Sequence, residues 1–110
     1  MARQRAKKEA NQDEIVAALE AIGAQVQSLA PMGNGVPDLL VSFRGAWHVL
    51  EVKDGSKPPS HRKLTPDEAA WHERFGRHAP VWTVTDAQSA LTAVQSAVEN
   101  GPIDSNALAC

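Results

Sequence analysis

Two apolar stretches on either side of a short turn, at residues 36–43 and 46–53, constrain the fold more than any other part of this 110-residue chain. Both stretches are rich in Val and Leu, and the two residues left between them suit a tight turn. The segment therefore predicts a β-hairpin with mostly buried side chains. Three charged residues nevertheless lie inside it, namely Asp38, Glu51 and Lys53. Charged side chains are rarely buried without a partner or a metal ion, so these three need a chemical explanation.

The sequence around the hairpin predicts five further elements. Helices are expected over residues 11–23, 66–77 and 86–99, and strands over residues 24–29 and 80–85. The second helix has a capping box formed by Thr65 and Glu68, and it is expected to bury Trp71 and Phe75. The order α-β-β-β-α-β-α predicts a single α/β domain with a mixed β-sheet flanked by helices.

Composition narrows the class of protein. We expect a basic N-terminal arm at residues 1–10, the folded domain at 11–100 and a flexible tail at 101–110. The one cysteine, Cys110, permits no internal disulfide, and no Cys/His cluster suggests structural zinc. No apolar run approaches the roughly 20 residues that span a bilayer, and the N-terminus lacks a signal-peptide pattern, so a cytoplasmic protein is expected. The net charge of −2 does not by itself indicate nucleic-acid binding.

The register of the hairpin places the two acids side by side. If the turn has two residues, Phe43 pairs with Ala46, and counting back along both strands brings Asp38 opposite Glu51. Directly opposite residues share one face of the sheet, with Cβ atoms about 4.5–5.5 Å apart. Lys53, two residues after Glu51, points to the same side because side chains alternate along a strand.

This arrangement suits metal-assisted chemistry. Two adjacent carboxylates repel each other unless one is protonated or a cation lies between them. Oxygen ligands at this spacing suit Mg²⁺ or Mn²⁺, and the backbone carbonyl of Val52 can add a neutral ligand. Together with Lys53, such an ion can polarise a phosphodiester and lower the pKa of a bound water. The alternative is an ion pair between Lys53 and one acid, without any chemistry, but the shared register of all three residues favours the metal site.

Other ionisable residues are weaker candidates. Glu14 lies at the edge of the apolar face of the first helix, where it can reach toward the acids or remain an ordinary solvated glutamate. Glu68 and His72 are one helical turn apart and can act as outer-sphere groups, although a surface pair is the favoured interpretation. His48 alternates with Glu51 to the opposite strand face and is interpreted as a partly buried structural residue.

A basic loop follows the second strand of the hairpin. It carries Lys57, His61, Arg62 and Lys63, which can contact a phosphate backbone or can simply be solvated. The basic N-terminal arm is interpreted as a solvated charge run.

Pro37-Asp38 followed by Glu51-Val52-Lys53 resembles the signature of the PD-(D/E)XK nuclease superfamily, whose restriction-endonuclease-like core has the similar order α-β-β-β-α-β. More narrowly, the segments GNGVPDLLVSFRG, LEVKDG and KLTPDEAAWH are similar to the VRR-nuclease (virus-type replication-repair nuclease) domain family, in its small stand-alone phage form. The likeness covers roughly residues 11–95.

The resemblance implies a DNA endonuclease that depends on Mg²⁺ or Mn²⁺. Asp38 and Glu51 would be metal ligands, completed by the Val52 carbonyl. Lys53 would position the water or stabilise the transition state, and Glu14 matches a first-helix acid that often joins such sites. Stand-alone members would act as homodimers on branched DNA such as Holliday junctions. The chain departs from the family pattern in its acidic net charge and in the lack of a basic residue after the last strand. These two departures bear on which DNA is the substrate more than on the chemistry.

Two other functions are compatible with the sequence. A non-catalytic DNA-binding or assembly module could retain the fold, although it need not keep Asp38, Glu51 and Lys53 together. A hydrolase of small phosphoesters is the other, but without a phosphate-binding loop of the type GxxxxGK[ST] it would not use nucleoside triphosphates.

Overall fold

The computed structural model describes residues 8–99, which form seven main elements. They are α1 (Gln12–Ala21), β1 (Gln25–Ser28), β2 (Leu39–Phe43), β3 (Ala46–Val52), α2 (Pro66–Gly76), β4 (Trp82–Val84) and α3 (Ala87–Glu99). Single 3₁₀ turns occupy Ala30–Met32 and Pro59–His61. The predicted α/β fold is confirmed. The predicted tail, and the arm up to residue 7, lie outside the described residues.

The four strands form one mixed sheet in the order β1-β2-β3-β4. The first three strands are antiparallel neighbours, and β4 runs parallel to β3. In the hairpin, Phe43 pairs with Ala46 and Leu39 pairs with Leu50, which is the predicted register. A connection between the parallel strands β3 and β4 needs a crossover, and α2 lies within it.

The hairpin turn adopts the left-handed backbone conformation at both of its residues. Arg44 has φ 50° and Gly45 has φ 82°. Two-residue hairpin turns with both φ angles positive match the twist of the strands, and Asn-Gly is their preferred sequence. Gly45 adopts this conformation at no steric cost, whereas Arg44 carries a side chain that disfavours it. The register is therefore maintained despite an unfavourable residue in the turn.

The core lies on one face of the sheet, beneath α1 and α3. It consists of the buried residues Ile15, Leu19, Ala24, Leu39, Val41, Phe43, Leu50, Val52, Val84, Ala90, Ala93 and Val94. His48 lies on this same face, opposite to Glu51 as predicted, and it is more fully buried than the partial burial expected. The opposite face carries Glu51 and, further along β3, Trp47, whose exposed fraction is 72%. The acids therefore lie on the side of the sheet that the core helices leave open.

Helix α2 departs from the prediction because it buries no residue in the core. Trp71 is half-buried and stacks on Phe75 at 4.1 Å between ring centroids, and Phe75 remains 38% exposed. The expectation that both aromatics are buried is wrong, since α1 and α3 already cover the core face. The predicted capping box at Thr65 is confirmed. Within the described part of the chain, no helix combines the length and the apolar character needed to cross a bilayer.

Candidate functional site

The two hairpin acids meet at the end of β2 and β3. Asp38 immediately precedes β2, and its Oδ2 accepts a hydrogen bond of 2.7 Å from the backbone N–H of Val52. Glu51 is only 2% exposed, and its carboxyl group is within hydrogen-bonding reach of that of Asp38. The predicted face-to-face arrangement of the two acids is therefore present in the structure.

The environment of these acids favours a proton on the pair. Burial, followed by the negative charges of Asp38 and Glu68, raises the pKa of Glu51 to about 9. Burial also raises the pKa of Asp38, although the hydrogen bond from Val52 opposes this rise. Two carboxyl groups this close cannot both ionise cheaply without a cation. At neutral pH and without metal, Glu51 is therefore expected to hold a proton that it shares with Asp38.

Lys53 is buried at the same site and points toward two acids. Its Nζ lies 2.8 Å from Oε1 of Glu68 and 3.8 Å from Oε2 of Glu51. Burial alone would lower the pKa of Lys53, but the hydrogen bond and charge of Glu68 outweigh it and raise the pKa above its usual value. Lys53 is consequently a charged ammonium group at neutral pH and cannot act as a proton acceptor there.

Glu68 connects the first turn of α2 to the hairpin. Its Oε1 accepts hydrogen bonds from the backbone N–H of Thr65 at 2.9 Å and from Nζ of Lys53 at 2.8 Å. Burial opposes ionisation of Glu68, yet these two donors outweigh burial and lower its pKa. The residue that completes the capping box is thus also the ion-pair partner of Lys53.

His72 lies one helical turn beyond Glu68 and also faces the acids. Its Nε2 is 3.9 Å from Oε1 of Glu51, and its side chain is 15% exposed. Burial is the main cause that lowers its pKa. The favoured interpretation of Glu68 and His72 as a surface pair is therefore wrong. One feature of the sequence could have indicated the position of Glu68. Glu68 completes the capping box of α2, and the loop that leads into this helix begins at Lys53.

Glu14 does not join the acids, which corrects the expectation from the sequence. It is exposed on α1 and lines a different hollow, together with Asp54 and Arg62. The acid that approaches from the N-terminal side is Glu9, which lines the same hollow as Asp38 and whose charge helps to raise the pKa of Lys53. Glu9 precedes α1, so helical periodicity gave no reason to consider it.

The basic loop lies beside the site without entering it. None of its four basic residues lines the hollow that contains Asp38 and Glu51. Lys57 has its Nζ 3.8 Å from Glu9, and Arg62 donates a hydrogen bond of 2.9 Å to the backbone carbonyl of Lys57. His61 and Lys63 are exposed. The loop therefore places Lys57 beside Glu9, one of the residues that line the hollow.

The hollow itself has a volume of about 450 Å³. Asp38, Glu51, Val52 and Lys53 form its floor, and the loop at residues 33–36 and the first turn of α2 form its walls. Gly35 brings these walls into contact: it has φ 82°, and a Cβ atom there would meet the backbone carbonyl of Asp67 and lie 2.9 Å from the nitrogen of Glu68. Only glycine combines this conformation with so close an approach.

The donor atoms fit a divalent cation better than an isolated ion pair. Oε1 of Glu51 is buried and has no hydrogen-bond partner, and a second carboxyl group lies beside it. Among residues 8–99, no group of three or more His, Cys, Asp or Glu side chains is arranged to hold a metal ion by itself. An ion at this site would therefore take its remaining ligands from the backbone, from water or from a substrate. Asp38 and Glu51 would hold it, with Val52 lining the same floor.

Comparisons of the chain with models of protein families, with curated proteins and with solved structures found no match.

Proposed function

We propose that the protein is a metal-dependent DNA endonuclease that hydrolyses phosphodiester bonds with Mg²⁺ or Mn²⁺. The observation that carries the proposal is the pair of carboxyl groups, Asp38 and Glu51, opposed across a hairpin at the floor of an open hollow with Lys53 beside them. A structural ion pair would need only one acid for the lysine, and Glu68 already supplies it at 2.8 Å. The presence of two further acids, Asp38 and Glu51, therefore favours a cation-binding role for the site.

Each residue has a distinct task in this proposal. Asp38 and Glu51 hold the ion, and the Val52 carbonyl is a further candidate ligand. The bound ion would lower the pKa of a water molecule and neutralise charge on the phosphate. Lys53 stays charged because of Glu68, so it stabilises negative charge that develops on the phosphate oxygens. The hydrogen bond from Val52 keeps Asp38 oriented toward its partner.

The proposed substrate is DNA, with branched forms such as Holliday junctions favoured. Lys57, His61, Arg62 and Lys63 would contact the phosphate backbone at the edge of the hollow, where contacts fix position without reading sequence. We further propose a homodimer, because two sites related by a twofold axis can cut opposing strands of a symmetric junction. The dimer is proposed from the resemblance, and a cytoplasmic location is proposed from the composition. A monomer mass from light scattering coupled to size-exclusion chromatography would contradict the dimer.

Separate replacement of two site residues tests the activity. We expect Asp38→Asn and Lys53→Ala to fold, as judged by circular dichroism, and to lose cleavage of labelled junction DNA in Mn²⁺ or Mg²⁺. Asp13→Asn is the matched control, because the side chain of Asp13 is 84% exposed on α1. This variant should cleave the DNA normally. Cleavage by Asp38→Asn at the normal rate would refute the assignment. Wild-type protein that binds junctions without cutting them would instead identify a non-catalytic DNA-binding or assembly module.

A further inference from the structure

Two ligating atoms face each other at the site without a hydrogen-bond partner. They are Oε1 of Glu51 and Nε2 of His72, and both are buried. The other oxygen of Glu51, Oε2, lies 3.8 Å from Nζ of Lys53. Buried polar atoms nearly always have a partner, and an exception calls for a water, an ion or a functional reason.

The separation of these atoms excludes a direct hydrogen bond and suits a shared ion. At 3.9 Å they lie beyond the roughly 3.2 Å limit of a hydrogen bond from nitrogen to oxygen. An ion about 2.1 Å from each of two ligand atoms holds them about 3.0 Å apart at a right angle and about 4.2 Å apart in line. The observed distance lies between these two values and corresponds to an angle of about 136° at the ion, so a small movement of one side chain would bring the pair to an octahedral angle.

We propose that His72 is a nitrogen ligand which, together with Oε1 of Glu51, binds a divalent transition-metal ion at the site and gives it a preference for Mn²⁺ over Mg²⁺. The inference rests on the proposed function; because Asp38, Glu51 and His72 do not form a three-residue metal group among the described residues, the remaining ligands of this ion would come from water or substrate. Mg²⁺ strongly prefers oxygen ligands, whereas imidazole favours transition metals. An all-oxygen set from Asp38 and Glu51 would not discriminate in this way.

The position of His72 on α2 gives it the reach for this role. Glu68, one turn earlier, is tied to Lys53 at 2.8 Å, which fixes the rotation of the helix and directs His72 toward the acids. The aromatic pair Trp71 and Phe75 stacks alongside, and the edge of the Trp71 ring lies against His72 with 6.4 Å between ring centroids. The placement of α2 therefore directs the imidazole toward Glu51.

Pulsed electron paramagnetic resonance of Mn²⁺ tests direct ligation. We expect the full-length protein with bound Mn²⁺ to show the nitrogen coupling of a directly bound imidazole, and the coupling to change when histidine alone is labelled with ¹⁵N. The variant His72→Phe keeps a ring of similar shape without a ligand atom, and it should lose the coupling. His78→Phe, at an exposed position just after α2, is the matched control and should retain it.

Calorimetric titration supplies a second readout that does not depend on cleavage. His72→Phe should weaken Mn²⁺ binding by about 10-fold or more and leave Mg²⁺ binding within about twofold. If His72→Phe fails to fold, His72→Gln, which keeps a polar side chain without an imidazole, takes its place in both measurements. Absence of nitrogen coupling in wild type with Mn²⁺ bound, or equal losses of Mn²⁺ and Mg²⁺ affinity, would overturn the inference.

These outcomes separate the inference from the proposed function. Cleavage of DNA without nitrogen coupling would leave a nuclease whose ion is bound by oxygen alone. Nitrogen coupling without cleavage of any DNA would leave a Mn²⁺ site in a protein that is not a nuclease.

Discussion

Replacement of Glu51 by Gln should make the metal-free protein more stable, contrary to the usual effect of changing a buried residue. In the folded chain the pKa of Glu51 is about 9, against 4.5 for an ordinary glutamate. The folded state thus keeps a proton that the unfolded state loses, and the free energy of unfolding falls as pH rises through this interval. Gln resembles the protonated carboxyl group in shape and has nothing to titrate, so it removes this loss.

The size of the effect follows from the interval between the two pKa values. At pH 7 the solution is about 2.5 pH units above the pKa of 4.5 that Glu51 has in the unfolded chain. At 1.36 kcal/mol per unit, this difference lowers the free energy of unfolding by about 3 kcal/mol. For a domain of this size, such a difference raises the melting temperature by at least about 10 °C. Below pH 4.5 both states are protonated, and the two proteins should be equally stable.

Urea unfolding of the metal-free proteins between pH 4 and 9 measures this difference. We expect the wild-type free energy of unfolding to fall with pH and the Glu51→Gln curve to be flatter and higher above pH 6. Glu20→Gln, at an exposed position on α1, is the matched control and should follow wild type. Saturating Mn²⁺ should stabilise wild type and not Glu51→Gln, by about 2.7 kcal/mol at 100 times the dissociation constant. A Glu51→Gln protein no more stable than wild type at pH 8 would refute the reasoning.

Three further predictions concern the walls, the turn and the loop. Gly35→Ala should destabilise the fold by about 1–3 kcal/mol in urea, because its Cβ meets the backbone of Asp67; Gly23→Ala shares the positive φ without any such contact, so an equal loss there would contradict the steric explanation. Arg44→Asn should stabilise by about 0.5–1 kcal/mol, since Asn tolerates positive φ, and a lower urea midpoint would count against this. If Lys63 contacts a phosphate, Lys63→Ala should reduce the salt dependence of DNA binding by about one charge; an unchanged slope would remove it from the interface.

The hairpin was predictable because its determinants are local. A two-residue turn fixes the register, and the register alone decides that Asp38 faces Glu51. The roles of Glu68 and His72 were not predictable in the same way, because they depend on how α2 is placed over the sheet. That placement is set by the contact of Gly35 with the first turn of α2 and by the ion pair with Lys53, both of which join distant parts of the chain. Amphipathic spacing indicated that Trp71 and Phe75 were core residues, but α2 covers the site.

Helix α2 is attached through polar contacts, so the residues that it contributes to the site differ from those that maintain the fold. The twelve-residue core that maintains the fold contains no side chain from α2. The outward positions of this helix can therefore vary in sequence with little penalty to folding, while Glu68 and His72 remain fixed. Sequence changes on the exposed side of α2 would therefore alter the surface next to the site and leave the twelve core side chains unchanged.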